Sequence, residues 1–239
     1  YNVNVYYDGN EMYNARDLTA AVKVLKINPN LEFKINSISY GENQIAEVKL
    51  TGINDSKLNE NVVLTINNKE YAFEANSNYT LPINLDAGNY EAYVLFNGNI
   101  NYNSVNKDAN FSVSRSDVNI DLFVSNSTYG EETIVNTYLA DLKGNLINES
   151  LKLEIDGNSY NIISNSEFAL PLVLNASTYS AKVSFEGNNN YNENYVIKSF
   201  TVNKADIDLG LTIENITYGD YLVLGNDFNH DLILNINKS

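Results

Sequence analysis

The sequence predicts an all-β chain built from tandem immunoglobulin-like Greek-key sandwich modules. Three observations carry this: a repeat of 89 residues, apolar side chains at every second position within each repeat, and no stretch with helical periodicity. The repeat is marked by YNVNVYYDGNEMYN from Tyr1, YEAYVLFNGNINYN from Tyr90 and YSAKVSFEGNNNYN from Tyr179. A second marker holds the same spacing: Ser39-Tyr40-Gly41, Thr128-Tyr129-Gly130 and Thr217-Tyr218-Gly219. Leu81-Pro82 and Leu170-Pro171 supply a third. Three markers in one register divide the chain into four parts. These are the C-terminal strands F and G of one unit (1–27), a complete unit (28–116), a second complete unit (117–205) and the N-terminal part of a further unit (206–239).

About seven short strands are expected per unit. Strand A carries Leu31, Phe33 and Ile35, matched by Ile120, Leu122 and Val124 and then by Leu209, Leu211 and Ile213. Strand B buries Ala46, Val48 and Leu50, matched by Val135, Thr137 and Leu139. Strand C buries Val62, Leu64 and Ile66, matched by Leu151, Leu153 and Ile155. A short strand follows with Tyr71 and Phe73, or Tyr160 and Ile162. Strand E is expected to bury Leu81, Ile83 and Leu85, or Leu170, Leu172 and Leu174. Strand F carries Tyr90, Ala92, Val94 and Phe96, and strand G carries Phe111 and Val113. Period-two alternation means one face buried and one face wet. Tyr90 and Tyr179 open strand F, where a tyrosine hydroxyl can reach back to the E–F corner. Gly88 precedes the first of these by two residues, whereas Ser177 stands before the second. Tyr102 and Tyr191, in the F–G hairpins, are expected to cover one end of each sandwich, with a shared binding role as the alternative.

The inventory of reactive groups is thin. There is no cysteine and one histidine, His230, in a turn-like stretch of the last unit. No Ser-His-Asp set and no phosphate loop can be assembled, so no enzymatic activity and no cofactor are expected. The net charge of −15 opposes nucleic acid, whose binding rests on neutralising phosphates, and opposes an anionic membrane surface. No apolar run reaches transmembrane length, so no membrane insertion is expected within this segment. Glu131-Glu132 read as surface charge. Asp117 and Asp206 at the unit boundaries are too few for a hard-cation cluster and read as polar linker residues. A lysine–asparagine cross-link is not expected, because Lys34 and Lys49 fall on outward positions and the second unit has Phe123 and Tyr138 there.

The Thr-Tyr-Gly-type turn, the Gly-x-Tyr corner and the F-x-G-N-x-x-Y-N hairpin give the chain a resemblance to a known family. It resembles the bacterial and archaeal immunoglobulin-like repeats of large adhesin-like surface proteins, particularly those of methanogens. That resemblance implies an extracellular, cell-surface location, an anchor outside this segment, and no chemistry of its own. The short linkers, without a Gly- or Ser-rich spacer, and the modular repeat point to a structural stalk or spacer, whose partners are the neighbouring modules. Two alternatives stand beside it: adhesin modules that bind a glycan or protein ligand directly, and a subunit that self-assembles into a fibre by strand addition between incomplete end units.

Sequons make Asn126 and Asn215 the leading candidates for N-glycosylation, since they hold equivalent positions before the A–B turn; Asn54, Asn78, Asn148 and Asn175 follow. Asn110 and Asn237 also begin sequons. Tyr93, Leu95, Phe123 and Tyr138 project from wet faces and are the candidate surface contacts. Head-to-tail stacking is expected to pack Tyr191 of the second complete unit against Tyr40 and Gly41 of the first, with short linkers limiting hinge motion.

Overall fold

A computed structural model describes residues 1–207 and 215–219 of the 239-residue chain. Leu209, Leu211, Ile213, His230 and Asn237 lie outside the described residues. The chain opens on an antiparallel hairpin, β1 (Asn2–Tyr7) and β2 (Arg16–Ala21), whose side chains are all exposed. The first module contains β3 (Asn30–Ile35), β4 (Ile38–Ser39), β5 (Ile45–Thr51), β6 (Asn61–Ile66), β7 (Lys69–Glu74), β8 (Asn78–Thr80), β9 (Gly88–Phe96) and β10 (Val105–Ser114). The second contains β11 (Val118–Val124), β12 (Ser127–Thr128), β13 (Ile134–Asp141), β14 (Ser150–Ile155), β15 (Asn158–Ile163), β16 (Glu167–Ala169), β17 (Ser177–Phe185) and β18 (Asn194–Asn203).

Each module is an immunoglobulin-like Greek-key sandwich. In the first, a three-stranded sheet β3-β5-β8 faces a five-stranded sheet β4-β10-β9-β6-β7; in the second, β11-β13-β16 faces β12-β18-β17-β14-β15. The pairings are antiparallel except where β4 meets β10 and β12 meets β18 in parallel. The first strand of each module therefore changes sheets, which makes eight strands rather than seven. The crossing is fixed by a side chain. The Ser37 hydroxyl accepts the Ser112 N–H (3.0 Å), and in the second module Asn126 Oδ1 accepts the Thr201 N–H (2.8 Å).

The alternating residues fill two separate cores. Val62, Leu64, Ile66, Ala92, Val94 and Phe96 line one; Leu151, Leu153, Ile155, Ala181, Val183 and Phe185 line the other. Each fully buried aliphatic chain of this kind stabilises its module by roughly 1.5–3 kcal/mol. The corner tyrosines close the cores at one end. Tyr90 donates its hydroxyl to Asp86 O (2.7 Å) and Tyr179 donates to Asn175 O (2.9 Å). Ser177 is accommodated because a Cβ at the matching Gly88 meets only the Tyr90 ring, at 3.8 Å.

Strand E lies earlier than expected. β8 and β16 pair with β5 and β13 over only three residues each. Leu81 N still donates to Gln44 O (2.9 Å) and Leu170 N to Thr133 O (2.9 Å), but Pro82 and Pro171 then lack the N–H needed to continue the ladder. Leu81, Leu85, Leu170 and Leu174 are buried from a non-strand segment, and Leu172 is exposed. An asparagine before the strand performs the missing pairing. Asn165, with φ 58°, receives the Leu139 N–H on Oδ1 (3.0 Å) and donates Nδ2 to Leu139 O (3.2 Å) and Ile147 O (2.9 Å). Asn76 does the same with Leu50 and Leu58 in the first module. One side-chain amide thus substitutes for a strand residue.

Asn165→Gly keeps the left-handed turn and removes the amide. It is expected to destabilise the second module by about 1–3 kcal/mol, the cost of orphaned backbone groups, while the first module unfolds unchanged. Urea denaturation read by a reporter in each module checks this.

Candidate functional site at the module joint

The hairpin joining β17 to β18 has a shape dictated by two residues. Gly187 has φ 79°, and a Cβ there would lie 2.9 Å from Tyr191 O and 3.0 Å from Glu193 N, so only glycine fits. Asn188 then folds inward, and its Oδ1 accepts the N–H groups of Asn190 and Tyr191, both at 2.9 Å. Its Nδ2 donates to Glu149 Oε1 (2.9 Å), which ties the hairpin to its own module. Gly98 and Asn99 repeat every one of these contacts, with Glu60 as the anchor.

A hairpin held this way presents Asn190, Tyr191 and Asn192 to the chain that precedes the module. Ser116 pairs with Tyr191 as a parallel bridge: Ser116 N donates to Asn190 O (3.0 Å) and Asn192 N donates to Ser116 O (2.9 Å). Asn192 Nδ2 donates to Asp117 Oδ1 (2.7 Å). The upstream linker repeats the pattern, with Ile27 bridging Tyr102 and Asn103 Nδ2 donating to Asn28 Oδ1 (2.7 Å). Each linker is therefore a short strand of the hairpin that follows it.

Three residues of the second module reach across to the first. Asn190 uses both ends of its amide: Nδ2 donates to Asp86 Oδ1 (2.9 Å) and Oδ1 accepts the Ala87 N–H (2.8 Å). The Tyr191 ring meets Tyr40 edge-on, centroids 5.2 Å apart. Lys143 Nζ donates to Gly41 O. The 39–42 turn that receives these groups is itself closed by a carboxylate: Ser39 N donates to Glu42 Oε2 (2.7 Å), and Thr128 N to Glu131 Oε2 (2.7 Å) in the second module. Glu131, read as surface charge, is thus a turn cap.

The electrostatics follow the packing. Burial, with Tyr40 and Asp141 adding to it, raises the Tyr191 phenol above its ordinary 10.0. Burial pushes the Asp141 carboxyl up, but hydrogen bonds from Asn145 and from Lys143 N, with the Lys143 charge, outweigh it and hold the group below 3.8. Tyr191 thus sits between two modules as a neutral ring, beside a carboxylate that stays charged.

The structure brings Tyr40, Gly41 and Tyr191 together and leaves the candidate surface contacts as two pairs, one on each module. Tyr93 and Leu95 point outward from β9 in the first module, Leu95 half-buried. Phe123 (67% exposed) and Tyr138 (40% exposed) point outward from β11 and β13 in the second, with Phe123 opposite Asn136 and Tyr138 opposite Asp121. These four form no common patch. Asn54, Asn78, Asn148, Asn175 and Asn215 are exposed, and Asn126 is exposed while its Oδ1 holds the Thr201 N–H. Asp117 serves Asn192, and among the described residues no group of three or more His, Asp or Glu side chains converges as a metal site. The joint residues that sequence reasoning missed are Asp86, Lys143, Asn190 and Asn192. The only signal for Asn192 was the final Asn of the repeated hairpin.

No family model and no curated protein matches the chain. Among solved structures it is similar to the fibronectin(III)-like modules of Clostridium thermocellum CbhA, at 9% identity and a TM-score of 0.30, over 73% of this chain and 95% of that one. It is also similar to SGBP-B of the Bacteroides ovatus mixed-linkage glucan utilization locus, in complex with a mixed-linkage heptasaccharide, at 14% identity and a TM-score of 0.27, over 84% and 73%. Neither likeness says anything of a ligand for this chain.

Because the folded Tyr191 phenol ionises later than the unfolded one, its contribution is intact below pH 10.0 and is lost as pH rises through the raised value. Alkaline titration followed by small-angle scattering is expected to show the joint loosening in that window, and Tyr191→Phe is expected to remove that step.

Proposed function

We propose that the chain is a stalk segment: a spacer in an extracellular, cell-surface adhesin-like glycoprotein of the methanogen type, without catalytic activity. The observation that carries this reading is the joint. A flexible tether would leave the linker solvated. Here Ser116 is a strand partner of the next module's hairpin, and Asn190 holds the Asp86–Ala87 turn with both ends of its amide. Contacts of this kind fix both tilt and twist, because the bridge, the amide pair and the Tyr40–Tyr191 edge contact lie on different elements.

Solubility and spacing along such a stalk are served by the same surface. The −15 charge repels neighbouring stalks and keeps them apart. Exposed sequons, Asn175 and Asn215 among them, are sugar acceptors on this reading, and Asn126 is the least suited because its amide oxygen is already engaged. The anchor and any binding tip belong to a longer protein on this reading. Neighbouring modules of the same chain are the principal partners.

Small-angle scattering of the chain tests this. The expected result is an extended particle whose maximum dimension is little changed by Tyr93→Ala, on the module face, and whose distribution broadens in Asn190→Ala. A compact globule, or a profile indifferent to Asn190→Ala, contradicts the stalk.

A further inference from the structure

The two modules share a backbone but not an outer face, and the difference makes a groove in the first. The outward side of β10-β9-β6 carries Tyr93 between Thr65 on β6 and Asp108 on β10, with Glu91 opposite Asn110 one step along. The β6–β7 turn, Asn67-Asn68, walls this groove on one side and the Ser37 crossing walls it on the other. Tyr93 is 38% exposed. Among the described residues no hydrogen-bond partner engages the side chain of Asn67, Asn68, Glu91, Tyr93, Asp108 or Asn110. An aromatic ring is thus surrounded by free amides and carboxylates on a rigid sheet.

In the second module the same positions are closed. Glu154 stands for Thr65 and Lys182 for Tyr93, and the pair forms a network: Lys152 Nζ lies 2.8 Å from Glu154 Oε1, Lys182 Nζ lies 3.6 Å from Glu154 Oε2 and 5.3 Å from the Tyr195 ring centre. Ile197 replaces Asp108 and Ser180 replaces Glu91. The turn differs too. Both central residues of each turn are left-handed, at φ 49° and 59° for Asn67-Asn68 and 49° and 74° for Asp156-Gly157. Glycine is the favoured second residue there. The first module keeps an asparagine instead, at some conformational cost, and so retains an amide on the groove wall.

We propose that this groove of the first module binds a neutral oligosaccharide. Its chemistry selects that class. Among the described residues the groove is lined by two carboxylates, Glu91 and Asp108, and by no cation, with Glu70 beside Thr65 on the same face, which disfavours phosphates, nucleic acid and acidic sugars. Tyr93 is the ring that points outward, while Tyr90 and Phe111 in the lining belong to the core and Leu95 beside it is half-buried; that is less than the anchor cluster of a protein interface. A pyranose has an apolar face to lay on Tyr93 and hydroxyls that donate to Asp108 and Glu91 while accepting from Asn67, Asn68 and Asn110. An open groove along a strand suits a linear chain of several sugars rather than a single one. In the second module an ion-paired network and the exposed Tyr195 and Ile197 occupy the matching face and the three amides are replaced by Asp156, Gly157 and Ser199, so on this proposal one chain combines a binding module with a spacing module.

The full chain, isotope-labelled, is titrated with neutral hexasaccharides of gluco, xylo and manno configuration and followed by amide NMR. The expected result is binding by at least one of them, with shifts confined to β9, β10 and the Asn67-Asn68 turn and absent from the matching face of the second module. Tyr93→Ala is expected to weaken binding by about tenfold or more, as for a central aromatic anchor. A double variant, Thr65→Glu with Tyr93→Lys, installs the pair the second module already carries on the same backbone; it is expected to fold and to abolish binding. Absence of binding by all three sugars, shifts centred elsewhere, or affinity unchanged in either variant overturns the proposal. The stalk reading stands or falls separately, on the scattering of Asn190→Ala.

Discussion

The joint depends on one constraint: the backbone at Gly187 must turn through a left-handed conformation so close to Tyr191 O that no side chain fits. That turn places Asn188 where its carbonyl can collect two N–H groups, and the hairpin is left with a single shape. A loop with a single shape can act as a surface. Asn190, Tyr191 and Asn192 face the preceding module because hydrogen bonds within the hairpin and to its own module hold the loop in that shape. The entropy that an open loop would lose on docking is already lost in folding. The same constraint recurs at Gly98, and the same hairpin holds the linker at Ile27.

From this follows the division between strength and economy in the chain. Each module has its own core, and among the described residues the joint adds a bridge, an amide pair, an aromatic edge and one lysine. These contacts are mostly polar, with one aromatic edge, so they set orientation without merging the cores. Modules joined this way respond to substitution one at a time. The outer faces are then free to diverge, as the Tyr93 groove and the Lys152–Glu154–Lys182 network show on equivalent strands. A surface of this kind changes its partners without disturbing what holds it up.

The sandwich was legible in the sequence because burial in a strand has a period of two, and the alternation at Val62, Leu64 and Ile66 admits no other element. Strand E was legible as buried but not as placed, since Leu81 and Leu85 alternate without being in a strand; Pro82 held the clue, through its missing N–H. The asparagines resisted reading. In a chain rich in asparagine, Asn76 and Asn165 as strand substitutes, Asn188 as a hairpin pin and Asn126 as a crossing cap look alike. Their roles depend on which backbone groups tertiary structure leaves unpaired. The Asp86–Asn190 contact joins residues 104 positions apart and carries no periodic signal. The 89-residue register brought Tyr40, Gly41 and Tyr191 forward as a set, because repeats that stack must meet through the same ends.

Whether the hairpin fixes one module against the next is read out by a distance distribution across the joint. Spin labels at Glu74 on β7 and Ser159 on β15, both exposed and remote from the contact, report it by pulsed dipolar spectroscopy. A single narrow distance, broadened when Asn190 is replaced by alanine, is expected. A broad distribution in the unaltered chain contradicts it.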